Sequence, residues 1–151
     1  MLLIQDVPME CINHAATTYQ VPAALIVSIL KTEGGSSGKA SRNSNGSVDY
    51  GPMQVNSCHL KRLAQYGITK DDLQYKPCVN VVVGAWLLAK SIASGKSIWH
   101  GVGIYHSRTD HFNEKYRDRV KRSYNWITDM IKPKEQRPPD IVNQIKKSQK
   151  K

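Results

Sequence analysis

A mainly α-helical fold is the class this sequence predicts, and three observations predict it. Apolar residues recur at intervals of three and four along most of the chain. Pro22, Gly34-Gly35, Gly67 and Gly95 punctuate those periodic stretches. Residues 34–50 lack the pattern and are rich in Gly, Ser and Asn, so a polar loop or small β-hairpin is expected between the second and third helices. The 151 residues fit one domain, and 40% apolar with 23% charged is a composition that supports a core.

Cys11, Ala15, Ala16 and Tyr19 share one helical face and predict a first helix over 10–19. Gln20-Val21-Pro22 interrupts it. Pro22 suits the first position of a second helix, which runs to Glu33 and stops at Gly34-Gly35. Asn45-Gly46 marks a turn within the polar loop. A third helix is expected over 55–66, closed by Gly67; Thr69, with Asp72 three residues on, then starts a short helical turn. Val79 to Ser94 reads as a strongly apolar helix ending at Gly95, and helices over 98–105 and 112–131 follow. In the last, Tyr116, Val120, Tyr124, Ile127 and Ile131 form one apolar stripe. No repeat is visible. The boundaries are a domain over 1–131 and a basic, Pro-containing tail over 132–151, expected to be disordered apart from a short helix at 141–145.

The chain carries 22 Lys+Arg against 12 Asp+Glu, a formal charge of +10. Residues 1–131 hold 15 basic and 10 acidic side chains and the tail seven and two, so each part contributes +5. Such a tail either solubilises the chain or draws it to an anionic polymer or surface. Zinc-finger spacing, an aromatic RNA-binding signature and a basic zipper are all missing, so no nucleic acid is expected as partner. Uninterrupted apolar runs such as Val81-Val82-Val83 fall short of the roughly 20 residues that span a bilayer, and no transmembrane segment is expected.

Cys11, Cys58 and Cys78 are odd in number, so at most one internal bridge forms; with no CxxC spacing, no metal site is expected. In an exported chain Cys11–Cys78 would tie the first helix to the start of a later one. Cys58–Cys78 is the alternative bridge, and three reduced thiols the alternative to any bridge. Met1 to Pro8 has neither a basic start nor a 7–15-residue apolar run, so as written it is no signal peptide.

Glu33 is the most informative position. Ile26, Ile29 and Leu30 define the core-facing side of the second helix, and Glu33 lies seven, four and three residues beyond them. It therefore falls on the apolar side at the helix C-terminus, where the macrodipole disfavours negative charge. Burial and dipole together favour the protonated acid, the form a general acid requires. The alternative is a frayed helix end with Glu33 in water.

Lys31-Thr32-Glu33-Gly34 followed by Asp49-Tyr50-Gly51-Pro52-Met53-Gln54-Val55-Asn56-Ser57 resembles the lysozyme superfamily. More closely, the chain resembles the specialised lytic transglycosylases that accompany type IV secretion, conjugation, type III secretion and type IV pili. Two further blocks agree: Pro77-Cys78-Val79-Asn80 running into Gly84-Ala85-Trp86-Leu87-Leu88-Ala89, and Val102-Gly103-Ile104-Tyr105-His106-Ser107. The four stand in family order over residues 11–130. Departures are Gly34 where transglycosylases commonly have Ser, Pro52 for Leu or Ile, and His106-Ser107 for Asn-Ala.

The resemblance implies a lysozyme-like helical domain that cleaves the β-1,4 bond between N-acetylmuramic acid and N-acetylglucosamine. The product would carry a 1,6-anhydro end, with no metal or external cofactor. It casts Glu33 as the acid, Tyr105 as its hydrogen-bond partner, and Gly51, Met53, Gln54, Asn56, His106 and Ser107 as substrate-binding residues. Asp49 either joins as a second carboxylate, giving muramidase hydrolysis, or closes a turn before Gly51. A non-cleaving glycan-binding assembly module is the other alternative. Expected partners are peptidoglycan glycan strands and, through the tail, components of a secretion system or pilus. The expected setting is a monomer in the periplasm, opening the wall locally for such an apparatus. Lys115 to Arg122, with five cations and one acid, is either a wall-attracting surface or a solvated helix face.

Overall fold

In the computed structural model, which describes residues 1–107 and 109–133, the chain begins with an unforeseen hairpin, β1 (Leu3–Ile4) and β2 (Val7–Pro8). Gln5 and Asp6 take φ values of 49° and 67°, the left-handed geometry of a tight two-residue turn. Neither is glycine, so no punctuation betrayed it. The Gln5 amide donates to the Gly35 carbonyl (2.8 Å), and the Asp6 carboxylate accepts from the Ser37 N–H (3.1 Å). The hairpin thereby straps the segment that follows Glu33.

Helices α1 (Met9–Tyr19) and α2 (Ala23–Glu33) flank Gln20-Val21-Pro22, with Pro22 just outside α2 rather than at its first position. Helix α2 does not fray. Gly34, at φ 63°, returns its N–H to the Leu30 carbonyl (3.1 Å), a left-handed cap that only glycine adopts without strain. The polar loop becomes a three-stranded antiparallel sheet of β3 (Ala40–Arg42), β4 (Val48–Tyr50) and β5 (Val55–Asn56), with Ser41, Asp49 and Asn56 in one row.

The helix expected over 55–66 is corrected. Val55 pairs with Tyr50 and is 1% exposed, so its apolarity serves a strand. The Asn56 side chain accepts from the Cys58 N–H, and helical structure starts only after it: a 3₁₀ turn (Ser57–His59), α3 (Leu60–Leu63) and a second 3₁₀ turn (Ala64–Tyr66). Thr69 and Asp72 form the full capping box of α4 (Lys70–Tyr75). Then come α5 (Pro77–Ser94), α6 (Ile98–His106) and α7 (Asp110–Met130). On α7, Tyr116 and Val120 are buried and Tyr124 and Ile127 pack at the core edge, but Ile131 lies past the helix end and is exposed. The expected tail disorder and 141–145 helix fall outside the described residues.

Helix α5 is the hub. It is long and apolar enough by length and composition to cross a membrane. Here it packs against α1, α4 and α6, with Val81, Val83, Ala85 and Leu88 buried, while α7 packs on α2 and α6. A disulfide joins Cys11 on α1 to Cys78 in the first turn of α5 (Cα–Cα 5.4 Å), and Cys58 is an exposed free thiol. Because the bridge closes a 67-residue separation, its reduction should cost about 2–4 kcal/mol of stability, measured as the shift in urea unfolding with and without reductant.

Candidate active site

Between the sheet and the α5–α6 corner lies a cleft of about 770 Å³, within the size range of ligand sites. Glu33 enters it from the end of α2. Asn43, Ser47, Asp49 and Asn56 form the sheet side; Gln54 lies on the turn after β4; Tyr105, His106 and Ser107 come from the end of α6. Cys58, His59 and Arg62 with Leu87, Lys90 and Ser91 extend the wall along α3 and α5.

The Glu33 carboxyl is pushed up from 4.5 to about 7. Burial is the main cause, since an apolar surrounding penalises the charged form, and Asp49 adds like-charge repulsion. Against these act the Tyr116 hydroxyl, Arg119 and Lys39. Arg119 also donates to the Thr32 carbonyl (3.0 Å) and Lys39 to that of Gly34 (3.2 Å), so two cations occupy the negative end of α2 around the acid. With a pKa near 7 the group exchanges a proton readily at neutral pH. It can donate as an acid and accept as a base.

The expected Tyr105–Glu33 hydrogen bond is corrected. Tyr105 donates instead to the Met53 carbonyl (3.0 Å), because α6 delivers its hydroxyl over the turn that follows β4. The phenol facing Glu33 is Tyr116 of α7, which sequence reasoning had placed only in an apolar stripe. A buried tyrosine in such a stripe brings a hydroxyl that wants a partner, and that was the available signal. Tyr116 is 2% exposed, and its hydroxyl closes no hydrogen bond of standard geometry. It faces the Glu33 carboxyl and favours its ionised form. His106 stacks on its ring at 4.6 Å and 5°. Burial first, then Glu33 and Asp49, hold Tyr105 well above the ordinary phenol range; for Tyr116 burial and Glu33 do so. Both remain donors at neutral pH.

Asp49 is anchored from both sides: Asn43 donates to Oδ2 (3.1 Å) and Asn56 to Oδ1 (2.8 Å). Asn56, expected to bind substrate, thus holds Asp49 while lining the cleft. Gln54 also lines it, at φ 51° with its amide on the Gly51 carbonyl (2.9 Å).

Two residues expected to bind substrate, Met53 and Gly51, are not in the cleft lining. Met53 is fully buried and packs its thioether on Gly84, so only its backbone serves the site: the carbonyl takes Tyr105, and the N–H donates to Asn80 (2.8 Å). Gly51 is buried outside the cleft at φ 70°, where a Cβ would run into the Asn80 amide and the Leu73 carbonyl. Glycine is required there by the turn.

Residues 10–135 match the family described as Transglycosylase SLT domain. Among known proteins, the chain is 29% identical over 135 residues to "Invasion protein IagB" of Salmonella typhi, covering 86% of this chain and 84% of that one. It is 34% identical over 113 residues to "Protein IpgF" of Shigella flexneri, covering 74% and 73%. It is 32% identical over 115 residues to "Peptidoglycan-binding-like protein" of Escherichia coli O157:H7, covering 71% and 69%. The family match spans the stretch from α1 to the end of α7, including every element that builds the cleft. This chain belongs to the transglycosylase SLT domain family.

Proposed function

We propose that the chain is a peptidoglycan lytic transglycosylase that cleaves the β-1,4 bond between N-acetylmuramic acid and N-acetylglucosamine and leaves a 1,6-anhydro end. The observation that carries the reading is Glu33 in the cleft with a pKa near 7. Protonated Glu33 gives its proton to the glycosidic oxygen as the C1–O bond breaks. The anion left on Glu33 then removes the proton of the muramyl 6-hydroxyl, whose oxygen closes onto C1. Glu33 ends as it began, so one carboxyl serves both steps. Asp49, held by two amides, offers a fixed negative charge to the oxocarbenium-like transition state. The cleft and its acid suit work on glycan strands in the periplasm. Similarity to a relative named an invasion protein favours local opening of the wall for a secretion apparatus, within the wider set of secretion, conjugation and pilus machines.

The test is product mass. Incubation with purified sacculi should release muropeptides whose ends are lighter by one water than reducing ends. Reducing ends would instead favour hydrolysis with Asp49 as nucleophile or base, a second reading supported by the shared lining of one cleft by the two carboxylates. Binding without soluble product would favour a non-cleaving assembly module.

Neighbouring substitutions should move the alkaline limb of the rate profile in opposite directions. Tyr116→Phe removes a hydroxyl that lowers the Glu33 pKa, so the limb moves to higher pH. Asp49→Asn removes a charge that raises it, so the limb moves to lower pH. Product release measured from pH 5 to 9 reads both; equal or same-sign shifts would remove Glu33 from control of the rate.

A further inference from the structure

Away from Glu33, one wall of the cleft gathers cations on an aromatic ring. The Arg62 guanidinium of α3 lies 5.3 Å from the Trp86 ring centroid, and the Lys90 ammonium, one helical turn along α5, lies 4.6 Å from it. Trp86 is half-buried and braced edge-on by Tyr66, with centroids 6.4 Å apart. Arg62 and Lys90 line the cleft beside His59. Among the described residues, no carboxylate lies within ion-pair distance of either. His59 registers the accumulated charge: burial, then Arg62 and Lys90, lower its pKa. The ring attracts each cation, but the two repel one another, and an anion between them would relieve that repulsion.

Sugar rings and N-acetyl groups offer no anion. On wall glycan, free carboxylates sit on the peptide branches attached to muramic acid. We propose that Arg62 and Lys90, held over Trp86, form a subsite that takes a carboxylate of that peptide branch, so the cleft reads peptide-bearing rather than uncharged glycan. Arg62 offers the planar fork that pairs with a carboxylate, and Lys90 a second charge. The inference rests on the cleft being a glycan site, but it concerns recognition and not cleavage.

The test is co-sedimentation of the full chain with sacculi at fixed ionic strength, using native sacculi and sacculi whose free carboxyls have been converted to amides. The wild-type chain should bind the amidated material about tenfold more weakly. Arg62→Gln with Lys90→Gln should bind native sacculi at that weaker level and be indifferent to amidation. Arg62→Lys with Lys90→Arg should restore part of the preference. Lys70→Gln with Lys96→Gln removes the same charge outside the cleft and should keep the full preference. Equal wild-type binding to both materials overturns the subsite. So does a preference that survives the Arg62/Lys90 change, or one lost equally in the Lys70/Lys96 control. Preference with no soluble product would uphold the subsite while refuting cleavage, so the two readings fail separately.

Discussion

Glu33→Gln lowers the rate of soluble product release from sacculi by roughly 10²–10⁴-fold. Glutamine matches the shape of the protonated acid and keeps a donor toward the cleft, so substrate still binds. It cannot release a proton to the leaving oxygen. Folding supplies an internal control. The carboxyl keeps its proton to about pH 7 when folded but loses it near 4.5 when unfolded. Between those values the folded chain holds the extra proton, so this group's contribution to stability falls as pH rises through that window. Above about 7 the folded state carries a partly buried charge, and glutamine does not. The variant should therefore match the wild type near pH 4 and exceed it by about 1–2 kcal/mol at pH 8, the partial exposure of the carboxyl holding the gain to that range. Urea titrations at the two pH values, run beside the rate assay, read both effects. Loss of rate together with loss of stability at pH 8 would mean the substitution damages the fold, and Glu33 would lose its role as proton donor.

Legibility in the sequence followed the reach of each physical signal. Helical spacing placed Glu33 on the core side of α2, and Gly34 marked where α2 stops, because both are matters of neighbours within two turns. Thr69 and Asp72 announced α4 for the same reason. Val55 misled because one apolar residue before Leu60 and Leu63 fits a helix or a strand equally, and only pairing with Tyr50 decides. The N-terminal hairpin was invisible: two-residue strands carry no period, and its turn uses Gln5 and Asp6. Within the cleft, the family blocks supply much of the lining but do not encode the direction of each side chain. Met53 and Gly51 turned inward, while Tyr116 and Arg119 of α7 and Arg62 of α3 arrived from elements outside the blocks. Those contacts depend on how α3 and α7 dock, which no local pattern encodes.

Asn80→Ala should be the most damaging single change to the fold's support of the cleft, costing about 3–5 kcal/mol. Asn80 sits fully buried in α5, donates to the Tyr50 and Leu73 carbonyls (2.8 and 2.9 Å) and accepts from the Met53 N–H (2.8 Å). Alanine strips all three backbone groups of their partner in a place with little room for water, and each stranded group costs about 1–3 kcal/mol. The damage reaches the site through geometry. Tyr50 follows Asp49 on β4, and the Met53 carbonyl receives the Tyr105 hydroxyl, so one amide holds both the acidic strand and the α6 tyrosine in place. Asn113→Ala is the comparison. That residue is also buried, but it makes two longer bonds, to the His100 and Ser107 carbonyls (3.2 and 3.3 Å), and leaves its own Oδ1 without a partner. Its loss should cost less. Urea midpoints for the two variants at one pH give the order. If Asn80→Ala falls within 1 kcal/mol of the wild type, or below Asn113→Ala, its three bonds contribute no net stability and the turn over β4 is held by the packing of Met53 on Gly84 instead.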